Sequence, residues 1–369
     1  MRRLSFLLFS LVLLLFSCTT NMVIPYMQPA AVDMGGYKHL AVASVVPYNG
    51  LIAPSGYIAG ADVHVAGLHI YSGYRASTSE SIAAYATDEL YSVLSDSGFF
   101  TLLSPERTDS IIKHGFLGSD ISGEFRSLGY DAVLIPRISS MSVSETIYSV
   151  PDYDWWVDSE GVRHRIVEFD YYFRQIASID YSITIIDTET GGIISQRTFS
   201  DTAKREDILD RRWTRLEDPS YLFRRMIRSF NDEIESLLVP TYNEYDVSLM
   251  PNKPKNESVE SAYKAAGDGR ILEARNAFLG AWESSQHLPS GYNAAILYAC
   301  AGDYDSAIDL LSAIMNVYSD PDVRVLYRDL LSIRVRNQQA EGQITGESSV
   351  RESTSASGNA VYGIAMGGW

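Results

Sequence analysis

The chain has 369 residues, 46% of them hydrophobic and 21% charged, which supplies apolar material for about two domains at roughly 150 residues each. Its 46 acidic side chains outnumber the 30 basic ones, for a formal charge of −16. That balance argues against nucleic acid as a partner, because phosphate binding needs clustered Lys and Arg, and against adhesion to anionic membranes through basic patches. Two cysteines are too few for a disulfide framework or a cysteine zinc site.

Arg2 and Arg3 precede an unbroken apolar or small-residue run over residues 4–17. The run is shorter than the about 20 residues of a spanning helix and suits the apolar region of a secretory signal, here residues 1–17. It ends Leu15-Phe16-Ser17-Cys18, which resembles a bacterial lipobox. The resemblance implies cleavage before Cys18 and a diacylglycerol on its sulfur. Two acyl chains anchor stably where one is marginal, so the membrane is a partner without a spanning helix. Thr19 in place of Asp implies, by the enterobacterial sorting analogy, an outer-membrane lipoprotein facing the periplasm. The lipid on Cys18 is the one covalent group expected, and no cofactor is.

Residues 19–37 look extended, with Pro25 and Pro29 opposing a helix. Residues 40–46 form a short apolar run ended by Pro47 and read as a buried strand. Residues 49–76 are rich in Gly and Tyr without clear periodicity and read as a loop or weak hairpin. A helix follows: Ser77 with Glu80 is a capping-box signal, Ile82, Tyr85, Ala86, Leu90, Val93 and Leu94 recur at helical spacing, and Gly98 supplies the stop. Residues 99–103 are a second strand, 107–113 and 121–128 short helices, and 132–135 a third strand, apolar on both faces. Ile179, Tyr181, Ile183 and Ile185 alternate with polar residues, the mark of a half-buried strand, and Glu189-Thr190-Gly191-Gly192 turns the chain back into residues 193–199. Asp218 and Pro219 open a last helix whose stripe is Phe223, Met226, Ile227, Phe230, Ile234, Leu237 and Leu238; Pro240 ends it.

This β-α-β-α-β-β-α order predicts an α/β domain over residues 18–245. It resembles the small domain of TolB N-terminal, penicillin-binding-protein-activator and curli-secretion-lipoprotein proteins. The likeness is carried by Gly129-Tyr130-Asp131-Ala132-Val133-Leu134 and Asp187-Thr188-Glu189-Thr190-Gly191-Gly192. These motifs are structural and imply a fold rather than an activity.

Residues 246–257 contain Pro251 and Pro254 and read as a linker. Beyond them a shift of 33 residues aligns Ala262 with Ala295, Gly269 with Gly302, Ala274 with Ala307, Phe278 with Leu311 and Ala281 with Ile314. The period resembles that of tetratricopeptide repeats, with Asn293, Tyr298, Gly302, Asp303, Tyr304 and Ala307 matching the pattern. Residues 258–336 are thus expected to be a tetratricopeptide-like helical array, with a capping helix at 322–336. Two repeats either line a peptide groove or brace the first domain. Residues 337–369 are rich in Gln, Gly, Ser and Glu and are expected to be a disordered tail. The fold class expected is α+β, a small mixed-sheet domain followed by an all-α array. The arrangement from Cys18 to about Arg336 resembles a bacterial lipoprotein family joining such an α/β domain to helical repeats, with Gln28-Pro29-Ala30 and Trp282 among the matching residues. That resemblance implies architecture and location, not mechanism.

No phosphate loop, dinucleotide fingerprint, zincin motif or nucleophile elbow occurs. His64 and His69, five apart, fall on opposite faces of a strand and fit solvated loop positions better than a metal pair. Asp152, Asp154, Asp158 and Glu160 lack the glycine and glutamate spacing of a calcium loop. Cys300, inside an apolar helical stretch, reads as a core residue. Neither a catalytic residue nor a metal site is expected, and the protein reads as no enzyme. The segment 148–173 gathers Tyr148, Tyr153, Trp155, Trp156, Tyr171, Tyr172 and Phe173 around an acidic loop. Such rings either pack in a sheet end or longer hairpin, or present a partner surface. Tyr153, Trp155, Trp156, Asn293 and Tyr298 are the partner-binding candidates. The expected role is a lipid-anchored envelope adaptor or scaffold that binds an unidentified envelope protein. The alternatives are an oligomeric, pore-type secretion subunit or an activator of a cell-wall synthase. Against a pore, residues 136–185 alternate too poorly for a membrane strand.

Overall fold

The computed structural model describes residues 20–50, 76–115, 121–208 and 218–347. The signal segment, Cys18, His64, His69 and residues 348–369 lie outside the described residues. The architecture is α+β, as expected, and the chain divides into two units, Gly36–Val239 and a second built from both ends, Met1–Gly35 with Pro240–Trp369.

The first unit is a five-stranded sheet of order β3-β2-β4-β5-β6. Strand β2 (His39–Val42) leads to helix α1 (Ala76–Asp96), which stops at Gly98 in the left-handed region, φ +62°. Strand β3 (Thr101–Leu103), helix α2 (Pro105–Gly115) and helix α3 (Ile121–Ser127) follow. Then come three long antiparallel strands, β4 (Ala132–Val157), β5 (Arg163–Asp187) and β6 (Ile193–Ile208), and helix α4 (Ser220–Leu238). Three consecutive strands thus precede α4, at the strand 132–135, the strand through 179–185 and the returning partner 193–199 that the sequence indicates, each longer than expected. Strands β2, β3 and the start of β4 are parallel; β4, β5 and β6 are antiparallel neighbours.

Helices cover both faces of this sheet. Ala41, Leu103, Ile111, Phe125 and Val133 form one buried cluster on the side of α2 and α3. On the other face the apolar half of α4, including Phe223, Met226, Ile227 and Phe230, is buried. There the ring of Tyr181 on β5 stacks parallel to Phe230 at 6.3 Å. The alternation at 179–185 that marks β5 as half-buried is therefore the side facing α4: Ala177, Ile179, Tyr181, Ile183 and Ile185 are all at most 2% exposed. Burying one such aliphatic side chain stabilises by about 1.5–3 kcal/mol.

The second unit starts from a strand pair distant in sequence. Strand β1 (Asn21–Gln28) pairs antiparallel along its whole length with β7 (Thr241–Ser248). Residues 20–35 therefore belong with the C-terminal helices and not with the α/β domain the sequence assigns them to. Likewise 246–248 are strand rather than linker. The helices are α5 (Glu260–Gly267), α6 (Ile271–Ser285), α7 (Leu288–Cys300), α8 (Tyr304–Met315) and α9 (Pro321–Thr345). The 33-residue shift reappears in the geometry. Gly269 and Gly302 both sit in the left-handed region, at φ +78° and +80°, where other residues are strained. Ala274 and Ala307, and Phe278 and Leu311, are fully buried in one core with Ile24 of β1. Small residues let the helices approach closely: a Cβ added to Gly291 would lie 2.8 Å from Ile314 Cδ1 and from Trp282 Cε3.

Helix α9 runs to Thr345, so residues 337–345 are ordered helix, contrary to the disordered tail expected from composition. Tertiary contact overrides composition here. Gln343 donates its amide to Ala30 O and accepts from Ala30 N, at 3.2 and 2.8 Å, and Asn337 accepts from Met27 N at 3.0 Å.

Candidate interaction ribbon

Strands β4 and β5 are 26 and 25 residues long, against 16 for β6. Pairing of β5 with β6 ends at Tyr172 opposite Ile208. From Tyr148 opposite Tyr172 to Val157 opposite Arg163, β4 and β5 continue as a ladder of ten residue pairs. The segment the sequence presents as an aromatic loop is thus a long hairpin, closed by residues 158–162. Nine large apolar side chains on it are exposed: Val150, Tyr153, Trp155, Trp156, Val157, Val162, Ile166, Val167 and Phe169. A longer hairpin and an open aromatic surface, alternatives from sequence, coexist.

The base of the ribbon is pinned by polar contacts. Tyr148 stacks on Tyr172 with centroids 5.4 Å apart, and its hydroxyl donates to Glu206 of β6. Arg174 Nε donates to Glu206 Oε2 at 3.0 Å, and Lys204 Nζ lies 2.6 Å from the same oxygen. Lys204, Tyr148 and Arg174, in that order, push the Glu206 carboxyl down to about 2. Three residue pairs closer to the body of the sheet, the buried pair Glu145 and Gln175 bond across the ladder at 2.7 Å.

Register gives the ribbon two unlike faces, since paired residues share a face and neighbours along a strand do not. One face carries Pro151 with Phe169, Tyr153 with Val167, Trp155 with Arg165 and Val157 with Arg163. It continues the face of β5 that α4 covers lower down, through Ala177, Ile179 and Tyr181. The other face carries Val150 with Asp170, Asp152 with Glu168, Asp154 with Ile166, and Trp156 with His164. All four carboxylates of the ladder from 150 to 170 fall on this second face. Asp152 and Glu168 stand directly opposite, a like-charge pairing that sheets normally avoid.

At the turn, Asp158 Oδ1 accepts from the backbone N–H of Glu160 and Val162 at 3.0 and 2.9 Å. Its Oδ2 lies 2.5 Å from His164 Nε2, and Trp156 stacks on the His164 ring at 4.8 Å. On the apolar face the Arg165 guanidinium lies 3.7 Å from the Tyr153 ring centroid. Arg163 has no carboxylate partner among the described residues. The hairpin is therefore tied at both ends by its own contacts while its middle presents aromatic rings.

The other candidates separate. Asn293 is fully buried and is not a docking residue. Its amide accepts from Met250 N at 2.7 Å and donates to Met250 O and the Tyr263 hydroxyl, each at 3.0 Å. It satisfies the main chain that follows β7, as buried polar groups must. Tyr298 is half-buried on α7, with the Arg275 guanidinium 4.4 Å from its ring centroid. Cys300 is partly buried, and burial pushes its thiol up to about 11, against nucleophilic use.

A cleft of about 720 Å³ opens where β2 ends, between α1 and the start of α2. Among the described residues that line it, the ionisable ones are Glu80, Asp88, Asp96, Glu106 and Tyr91, with no histidine, lysine or thiol to act against a carboxylate. Glu106 has its carboxyl lowered by its own backbone N–H and the Ser104 hydroxyl, as in an ordinary helix start. No group of three His, Cys, Asp or Glu among the described residues is placed to hold a metal ion, and no described helix is long and apolar enough to cross a membrane.

No protein-family description matches this chain, and no curated protein does. Among solved structures, the L103M dodecamer of PelC from Paraburkholderia phytofirmans aligns with 59% of this chain and 97% of its own, at 12% identity and a TM-score of 0.22. The lipoprotein GNA1162 from Neisseria meningitidis aligns with 53% of this chain and 96% of its own, at 9% identity and a TM-score of 0.23.

Proposed function

We propose that this protein is a non-enzymatic, lipid-anchored component of the bacterial cell envelope, acting as an interaction adaptor or scaffold. Its working surface is the aromatic end of the β4–β5 ribbon. The observation that carries the reading is the exposure of Trp155 and Trp156, at 57% and 50%, on a ladder fixed at base and turn by its own hydrogen bonds. Large rings held rigidly in water bury much area on docking at small entropic cost. The lipobox-like Leu15-Phe16-Ser17-Cys18 supports the anchor on Cys18 and an outer-membrane, periplasm-facing location. The 33-residue repeat, read as tetratricopeptide-like, supports a second docking module at the half-buried Tyr298.

Crosslinking in intact cells with affinity purification and mass spectrometry tests this, with the native chain beside a Trp155→Ala, Trp156→Ala variant. A heterologous envelope partner lost in the variant is the expected result. A partner set unchanged by the substitutions refutes the ribbon as the docking surface.

A second reading, an oligomeric pore-type subunit, is favoured by one observation. In register, from Val150 to Val157, one face is apolar apart from Arg163 and Arg165, while the other carries four carboxylates among Val150, Ile166, Trp156 and His164. Crosslinks solely between copies of this chain, with a discrete oligomer in mild detergent, are the result that selects it.

A further inference from the structure

We infer that the apolar face of the ribbon, from Pro151 to Val157 and from Arg163 to Phe169, seats against a phospholipid surface. The inference rests on reading the ribbon as a docking surface and assigns one of its two faces to lipid, which leaves the opposite face, with Trp156, to the envelope protein.

The polar atoms of this face decide the chemistry. Trp155 offers an indole N–H, and Arg163 and Arg165 offer guanidinium N–H groups, all donors with no acceptor capacity. The Tyr153 hydroxyl is the one side chain of the face that both donates and accepts. No carboxylate, amide or hydroxyl other than that of Tyr153 stands at Pro151, Tyr153, Trp155, Val157, Arg163, Arg165, Val167 or Phe169. A protein surface presents donors and acceptors mixed, and its interfaces carry about one hydrogen bond per 100–200 Å². A phospholipid surface presents phosphate and ester oxygens, which only accept. A face of rings and aliphatic side chains whose hydrogen-bonding groups are almost all donors complements such a surface and poorly complements a mixed one.

Position agrees with this chemistry. Trp and Tyr concentrate at membrane–water interfaces, where a ring is buried and its polar edge stays wet. Both arginines lie beside the turn, and their alkyl stems let the guanidinium reach phosphate while the stem lies along apolar surface. Asp152, Asp154, Glu168 and Asp170 all occupy the opposite face, directed away from an anionic headgroup layer. The turn carboxylate of Asp158 is already held by two backbone N–H groups and His164. On a chain of net charge −16, this face is a stretch with two positive charges and no negative one.

The test uses the full chain as isolated from membranes, reconstituted into vesicles of phosphatidylcholine and phosphatidylglycerol. In a Cys300→Ser background, Tyr153→Cys and Val167→Cys report the apolar face, and Asp152→Cys and Glu168→Cys the acidic face. Each is labelled with a nitrobenzoxadiazole fluorophore. The expected result alternates with the register. The labels at 153 and 167 brighten several-fold and are quenched by spin-labelled acyl chains, while those at 152 and 168 stay dim and are quenched by aqueous iodide. Labels at 153 and 167 shielded from both quenchers overturn the lipid assignment and leave the docking reading standing, with a protein or second copy on the face. Labels open to iodide on both faces overturn the lipid assignment, while the docking reading stands or falls by the crosslinking experiment in intact cells. Tryptophan quenching by brominated lipid in the unsubstituted chain, compared with the Trp155→Ala, Trp156→Ala variant, gives the same reading without labels. Quenching equal in the two chains counts against the inference even where a cysteine variant misfolds.

Discussion

Tyr181→Phe is expected to stabilise the sheet unit, against the usual direction of a buried tyrosine substitution. The side chain is 2% exposed, its ring stacks on Phe230 with planes 6° apart, and Phe199 lies 6.4 Å away. Its hydroxyl has no hydrogen-bond partner among the described residues, and burial pushes the phenol well above its ordinary range. A buried hydroxyl without a partner costs about 1–3 kcal/mol relative to water. Removing one oxygen leaves a void of roughly 10 Å³, worth about 0.2 kcal/mol at the cavity coefficient. The net expectation is a gain of about 1 kcal/mol, and a midpoint raised by about 2–4 °C for a unit of this size. Denaturant titration followed by circular dichroism and tryptophan fluorescence measures it. A loss of about 1 kcal/mol or more would show that the hydroxyl is satisfied in the native state and that the packing between β5 and α4 is wetter than argued.

Asn293→Ala removes three hydrogen bonds and strands the N–H of Met250, whose C=O keeps the Tyr263 hydroxyl at 2.7 Å, so a loss of about 1–3 kcal/mol in the helical unit is expected by chemical denaturation. Asn293→Asp fails to rescue it, because a carboxylate accepts from Met250 N but cannot donate to Met250 O. The Glu206 carboxyl has a folded-state pKa of about 2 against an ordinary 4.5, a depression caused first by Lys204 and then by Tyr148 and Arg174. Its contribution is fully present above about 4.5 and is lost as pH falls through 4.5 toward 2. Amide hydrogen exchange at the ribbon base is expected to rise over that window in the native chain and to lack this step in Glu206→Gln. The Cys300 thiol, raised by burial to about 11, is expected to resist iodoacetamide at neutral pH until the helical unit unfolds. Rapid stoichiometric alkylation of the native protein would contradict the burial argument.

The sequence reveals the elements that carry strong local periodicity and hides those defined by distant partners. The alternation from Ile179 to Ile185 identifies the C-terminal part of β5, because that stretch has helix α4 on one side only. It does not reveal that β5 begins at Arg163, since both faces of the ribbon are exposed and no burial contrast marks its strands. Only the register between Tyr153 and Val167, and between Asp152 and Glu168, places Tyr153, Trp155 and Phe169 on one face and the four carboxylates, with Trp156, on the other. Trp155 and Trp156 could be singled out from composition. Asn293 misled for a readable reason: it lies among Tyr292, Ala294, Ala295, Ile296 and Leu297, all buried, and a lone amide in such a run is committed to neighbouring main chain. The end of α9 is hidden because Gln343 is buried and hydrogen-bonded to Ala30, 313 positions away.

The ladder between β1 and β7 joins residues 213 positions apart at its nearest pair, Gln28 with Thr241, and 227 at its farthest, Asn21 with Ser248. Residues 36–239 are in effect a domain inserted into a hairpin. During synthesis β1 emerges early and waits without a mate until the insertion and β7 have followed. Closing a loop that long is entropically costly, with a cost rising as the logarithm of length, unless the inserted unit has already folded and holds the two strands near one another. A nested order of assembly follows, inner unit first and outer ladder last. A chain cut short before Thr241 leaves β1 unmated, so the contacts formed last are the ones that tie the two ends of the chain together.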